Sequence, residues 1–346
     1  MLLAAAAAFL VALVCSIRLV GRVRHWALAN DMLDIPVARS SHSQAVPRGG
    51  GAAILPVVLA ALTLLACTGA IGVGDAMAIG PAAAAVAAVG WIDDRHRLSV
   101  RVRLAVHLAA AAWFVLWARP PTPMPELLPA AIGNLLLVAG IGWCINLYNF
   151  MDGIDGLAAS QAVLVGIAGS ALFGLAGAGG WMVLSVVVAG ASAGFLAWNR
   201  PPARIFMGDV GSGLLGFLFA ALALASAREG AAPWAAWVLL LGVFVLDATL
   251  TLAFRVAAGA RWHEPHREHA YQRAVQCGWS HGRVTAAVIV IDLTLCVPAA
   301  WSLRPGGTGS PWAAVAAASI MTVLWVWVRW IHGRRARGGE VADKPS

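Results

Sequence analysis

The feature that most constrains this 346-residue chain is a succession of apolar runs. Each is about as long as a bilayer-crossing helix must be, roughly 20 residues. They occupy 1–20, 50–68, 76–92, 102–118, 130–148, 157–176, 180–198, 211–227, 234–254, 284–303 and 311–331. Breakers such as Gly69, Pro120-Pro121, Gly179-Gly180, Pro201-Pro202 and Gly306-Gly307 fall between them. Charged residues make up only 12% of the chain, against about 25% in a soluble domain. So few polar groups cannot cover a surface in water, and lipid is the expected solvent. The pattern predicts an all-α polytopic membrane protein of about eleven spans, with one transmembrane domain over 1–332. A basic, flexible tail is expected over 333–346. Residues 1–20 lack a basic leader and a small-residue cleavage site, so they read as a first span and not as a removable signal.

Basic residues test that count. Eleven spans place alternate loops on opposite sides. One set of loops holds Arg18, Arg22, Arg24, Arg39, Arg48, Arg95, Arg97, Arg101 and Arg103. The same set continues with Arg200 and Arg204, the 255–283 arginines and the C-terminal cluster, 21 basic residues in all. The other set has only Arg119, Arg228 and Arg304. By the positive-inside rule the N-terminus lies outside and the C-terminus is cytoplasmic. The net charge of +8 therefore reads as membrane topology, and nucleic acid is not an expected partner. Five cysteines without C-x-x-C spacing suggest neither a zinc site nor a disulfide framework.

Acidic residues number 16, so their placement is informative. Asp93-Asp94 end the third run, Asp152 and Asp155 follow the fifth in Asn149-Phe150-Met151-Asp152-Gly153-Ile154-Asp155-Gly156, and Asp209 precedes the eighth. All five fall at one membrane face, where an uncompensated carboxylate is costly and marks function. Such a cluster suits a hard cation. Mg²⁺ takes oxygen ligands, typically one or two carboxylates plus substrate phosphates. Consecutive Asp93 and Asp94 cannot point the same way on a helix, so they are expected to serve different tasks.

The loop 254–283 is dense in Arg and His: Arg255, Arg261, His263, His266, Arg267, His269, Arg273 and His281. Arginine forks onto phosphate oxygens, so this loop suits a diphosphate. The first basic loop adds Asp34, Pro36, Arg39, His42 and Arg48, followed by Gly49-Gly50-Gly51. Gly208-Asp209-Val210-Gly211-Ser212-Gly213 is glycine-rich but matches neither a Walker A loop nor a dinucleotide fingerprint. Asp247 and Asp292 lie inside runs; Asp247 is near enough to the Arg/His loop to support it, and Asp292 reads as structural.

These five segments, in this order over about residues 30–285, resemble the polyprenyl-phosphate N-acetylhexosamine-1-phosphate transferases, glycosyl transferase family 4. That superfamily includes the phospho-N-acetylmuramoyl-pentapeptide transferase. The resemblance implies transfer of a sugar-1-phosphate from a UDP-activated N-acetylated sugar to undecaprenyl phosphate, with release of UMP. It implies Mg²⁺, with Mn²⁺ as a substitute. It implies Asp93, Asp94 and Asp209 as catalytic residues, with Asp94 and Asp209 on the metal. It implies Asn149, Asp152, Asp155, Arg39, His42, His266, Arg267 and His269 as substrate-binding residues. A bacterial inner-membrane enzyme with a cytoplasmic site follows, and a homodimer is compatible.

One departure bears on the sugar. Many members carry His-x-His-His in the last loop, whereas this chain runs His266-Arg267-Glu268-His269. That pattern is similar to the subgroup that initiates O-antigen with 6-deoxy-N-acetylhexosamines. Two rival classes remain: CDP-alcohol phosphotransferases and transporters. The first needs Asp-Gly-x-x-Ala-Arg, but Asp155-Gly156-Leu157-Ala158-Ala159 has alanine where arginine belongs. Transporters place ionisable groups near the midplane on broken helices, and here most lie at one edge.

Overall fold

A computed structural model describes residues 1–36, 45–122, 127–261, 266–306 and 311–342. Arg39, His42 and His263 lie outside the described residues. Helices α1 (Leu2–Ala29), α2 (Ile54–Cys67), α3 (Val73–His96), α4 (Val100–Ala118), α5 (Ala130–Phe150) and α6 (Leu157–Leu175) form the first half. They are followed by α7 (Gly179–Asn199), α8 (Asp209–Arg228), α9 (Trp234–Leu240), α10 (Gly242–Ala257), α11 (Ala270–Gln276), α12 (His281–Ile291), α13 (Val297–Ser302) and α14 (Pro311–Ala342). Among the described residues ten helices are long and apolar enough to cross a membrane unaided, or eleven when the bent α9–α10 pair is counted as one span. The chain is a polytopic, all-α membrane protein. Among the described residues the sole exception is a two-residue antiparallel pairing, β1 (Leu33–Asp34) against β2 (Val46–Pro47), with Leu33 opposite Pro47.

One expectation needs correction. The ninth run is not a single straight helix: α9 and α10 meet at Leu241 with an 82° bend. Gly242 opens α10, and a Cβ there would stand 2.7 Å from Cys296 Sγ. A tight approach and a weak helix former coincide at the break. Span ten is also irregular, since Asp292–Cys296 forms a π-turn between α12 and α13. Several helices also extend beyond the apolar runs. Helix α1 continues to Ala29 and carries Arg18, Arg22 and Arg24, while α3 continues through Asp93 and Asp94.

The core centres on α8, whose apolar window is 89% buried. Small residues let neighbouring helices approach it closely, the usual basis of helix association in lipid. A Cβ on Gly216 would fall 2.5 Å from the Cys144 carbonyl of α5, and one on Gly90 of α3 would fall 2.5 Å from the Asp209 carbonyl. The loop after β2 is laced to the segment before α8. Phe206 N–H donates to Pro47 O at 2.8 Å, and the N–H groups of Gly50 and Gly51 donate to Phe206 O and Met207 O at 2.9 Å each. These bonds deliver Arg48, Asp94 and Asp209 to one place.

Candidate active site

Four helix ends meet where α3 and α5 finish and α4 and α8 begin. Asp93 and Asp94 sit in the last turn of α3 and face different partners, as adjacent positions on a helix must. Asp94 turns inward, with a fully buried side chain. Its Oδ1 accepts from Asp209 N–H at 3.0 Å and its Oδ2 from Val210 N–H at 3.2 Å. The carboxylate thus caps α8 from another helix, at the positive end of the helix dipole. Arg48 Nη2 donates to the same Oδ1 at 2.5 Å. Asp93 turns outward: its Oδ1 accepts from Leu98 N–H at 2.6 Å and its Oδ2 from Arg103 Nη1 at 2.8 Å.

Arg103 also donates to Asp209 Oδ2, at 2.7 Å, and so spans Asp93 and Asp209. The other oxygen, Asp209 Oδ1, stands 3.9 Å from Arg48. The geometry requires glycine just before Asp209. Gly208 has φ +76°, and a Cβ there would run into Asp94 Oδ2. Asn149, at the end of α5, donates through Nδ2 to Ser212 Oγ at 3.0 Å, tying α5 to the first turn of α8.

Asp152 follows α5. Burial first, and then the negative charges of Asp209 and Asp94, push its carboxyl well above the usual range. Arg48 is pulled both ways. Burial works against its charge, but Asp94, Asp209 and Asp34 outweigh burial and raise its pKa. The site therefore holds more buried acid than its two arginines compensate at Asp152.

That imbalance bears on the expected cation. Among the described residues no three His, Cys, Asp or Glu side chains form a ready-made cage. The donor set nevertheless fits a hard cation completed by substrate phosphates. Asp209 Oδ1 stands 3.9 Å from Arg48, and the Asp152 carboxyl lies near enough to feel the charges of Asp209, Asp94 and Arg48. Asp94, the other expected ligand, points into the protein and already accepts from three donors.

The remaining expected residues form a second layer. Asp155 Oδ2 accepts from Ala203 N–H at 3.0 Å and stands 3.4 Å from His281 Nδ1, joining the turn before α6 to α12. His269 is buried at 3% exposure, with its ring stacked on Phe150 at 6.1 Å and its Nδ1 3.7 Å from Asp247 Oδ1. His266 lies 4.9 Å from His269, ring to ring. Burial, then His269 and Arg255, lower His266 to about 4, so its imidazole is neutral at pH 7. Arg267 follows in the chain and is half-buried; its carbonyl accepts from Gln276 Nε2 at 3.2 Å.

Several contacts here were not legible in the sequence, although Asp247 was expected to support the Arg/His loop. Arg103 looked like one more topological arginine, although it stands one turn into α4, behind the Ser99 cap. Asp247 accepts from Ala270 N–H at 2.9 Å and Tyr271 N–H at 3.3 Å, so it caps α11 from α10. Tyr271 Oη donates to Phe150 O at 2.9 Å, and a Cβ on Gly153 would strike that hydroxyl. Glu268 gathers Arg255 and Arg273. Together these contacts fasten the Arg/His segment beside Asp152.

Comparison with known proteins identifies the family. Residues 76–227 match the family model described as glycosyl transferase family 4. Decaprenyl-phosphate N-acetylglucosaminephosphotransferase of Mycobacterium tuberculosis is 32% identical over 303 residues, covering 78% of this chain and 75% of the relative. The probable undecaprenyl-phosphate N-acetylglucosaminyl 1-phosphate transferase of Bacillus subtilis is 28% identical, covering 84% of this chain and 83% of the relative. The phospho-N-acetylmuramoyl-pentapeptide-transferase of Nostoc punctiforme is 32% identical over about half of each chain, 51% and 53%. With its segments in the family's order and a relative matched over three quarters of its length, this chain belongs to glycosyl transferase family 4.

Proposed function

We propose that the protein transfers a sugar-1-phosphate from a UDP-activated N-acetylated sugar to undecaprenyl phosphate, releasing UMP. The observation that carries this reading is the convergence of Asp93, Asp94 and Asp209 with Arg48 and Arg103 at one end of the bundle. The relatives are named for a polyprenyl phosphate and an N-acetylglucosamine phosphate, which supports this acceptor and this class of sugar. A phosphate oxygen of the lipid attacks the β-phosphorus of the nucleotide diphosphate. The bond from that phosphorus to the bridging oxygen breaks, and UMP leaves with the electron pair.

Phosphoryl transfer of this kind rests on positioning and charge stabilisation. Arg48 and Arg103 can turn from the carboxylates to phosphate oxygens, and Arg267 stands in the segment beside Asp152. Bound Mg²⁺, or Mn²⁺ in its place, would offset phosphate charge; Asp209 with Asp152 would hold it. Asp94 would reach the same ion only if Arg48 swings away, and otherwise fixes Asp209 from behind. Asp93, the outward member of the pair, is then the carboxylate placed to take a proton from the lipid phosphate.

The arginine distribution supports a cytoplasmic site with the N-terminus outside and the C-terminus inside, in a bacterial inner membrane. A headgroup-level site suits both substrates, since the lipid phosphate lies there and the UDP-sugar is soluble. The His266–His269 sequence favours a hexosamine or 6-deoxyhexosamine, and the product would begin an envelope polysaccharide of the O-antigen type. The test is release of radiolabelled UMP from a panel of UDP-sugars by membranes carrying the protein. Lipid-linked product from at least one UDP-N-acetyl sugar is expected. No product from any of them, or full rate in Asp94→Asn, overturns the reading.

A further inference from the structure

The break in span nine has its own polar fittings. A helix interrupted inside a membrane exposes backbone groups that lipid cannot satisfy. On the α9 side Gln161 of α6, wholly buried, donates through Nε2 to Leu240 O at 3.0 Å. On the α10 side stands Asp292, also wholly buried and the first residue of the π-turn. Gln161, Cys296 and the backbone N–H of Val243 surround its carboxyl. None of these donors closes on an Asp292 oxygen with full hydrogen-bond geometry, and among the described residues Gln161 Oε1 has no protein donor. Buried polar groups are normally satisfied, so a loosely held carboxyl inside a span calls for a role. π-turns cluster at functional positions for the same reason. Among the described residues no ion pair holds Asp292, and the site at the helix ends does not use it.

What hangs from this break explains the arrangement. Helix α10 leaves it at 82° and carries Asp247 and Arg255. Asp247 holds the first two N–H groups of α11, and Arg255 holds Glu268. Tyr271 then reaches back to Phe150 O, next to Asp152. The angle at Leu241 therefore sets where the His266–Arg273 segment lies over Asp152. We propose that Asp292 and Gln161 form the joint that fixes this angle, which makes Asp292 a positioning residue for the nucleotide-sugar side of the site. The inference rests on the functional reading above for its kinetic form only.

The test compares Asp292→Leu, Asp292→Asn and Gln161→Leu in the full-length protein in lipid nanodiscs. Small misplacements at a reacting centre cost large factors, so Asp292→Leu is expected to raise KM for the UDP-sugar about tenfold. KM for undecaprenyl phosphate and kcat should stay within about twofold. Asp292→Asn keeps the shape, with one acceptor and one donor, and should restore the wild-type values. Hydrogen exchange gives a readout without activity: residues 266–276 should exchange faster in Asp292→Leu while 206–212 stay unchanged. Equal acceleration in both segments indicates general loosening and overturns the proposal. So does an unchanged KM with unchanged exchange, or an Asp292→Asn variant as impaired as Asp292→Leu. If Asp292→Leu does not accumulate, Gln161→Leu is read by the same criteria. If the wild type transfers no sugar, the functional reading fails, and exchange alone decides the joint.

Discussion

The Asp94 carboxylate on α3 accepts the backbone N–H of Asp209 at 3.0 Å, so one acid of the site holds the helix on which another begins. Asp94→Asn keeps the shape but loses the charge that binds Arg48 and favours the α8 dipole. Electrostatic groups of this kind contribute about 10²–10³ in rate when removed. A fall in kcat of that order is expected, with expression and helical content unchanged, checked by UMP release and circular dichroism.

Gly208→Ala tests the same contact from the other side. Its φ of +76° strains any L side chain, and the new methyl would displace Asp94. Strain at such positions costs of order 1–3 kcal/mol. The melting temperature should fall and activity should drop with it, whereas Gly69→Ala, which also has positive φ but open space around it, should lower only the melting temperature.

Arg103 bridges Asp93 and Asp209, and lysine cannot reproduce a planar fork. Arg103→Lys should retain the fold and lose at least about tenfold in kcat/KM, while Arg103→Met should lose more, because two acids are left facing each other. Steady-state kinetics on purified variants checks the order.

Asp152 gives a pH prediction. Its carboxyl is raised well above the ordinary aspartate value of 3.8, so between 3.8 and the higher folded value the native state binds more protons than the unfolded one. Stability therefore falls as pH rises through that window. Asp152→Asn removes this penalty. The variant should melt higher than wild type at pH 7, with the difference vanishing near pH 3.5, and yet be inactive. Thermal unfolding of the metal-free protein across pH decides it.

The spans were legible because a bilayer demands a fixed length of apolar chain, which no other requirement in this sequence imitates. Asp93, Asp94, Asp152 and Asp209 were legible because acids are scarce in such a chain. The break at Leu241 was not, because Gly242 looks like any glycine in an apolar run. What crowds Gly242 there, Cys296, lies in another span. Arg103 was hidden for the opposite reason: arginines at that membrane edge are common, and only the fold separates the one between two carboxylates from its neighbours. The work of Asp247 could be guessed from nearness in sequence, but its role as a cap for α11 required the bend that brings the two helices together.

The arginine bridges leave the resting site short of positive charge, with Asp93, Asp94 and Asp209 sharing Arg48 and Arg103. An anion that draws Arg103 to itself strips Asp93 and Asp209 of their shared counter-charge, and one that takes Arg48 does the same to Asp94. Each arginine drawn away exposes carboxylates to one another and deepens that shortage. A nucleotide diphosphate arriving alone meets the repulsion of the carboxylates it uncovers, and the same molecule arriving with a divalent cation does not. Occupancy by the two should therefore be mutually dependent, each sharpening the apparent affinity of the other.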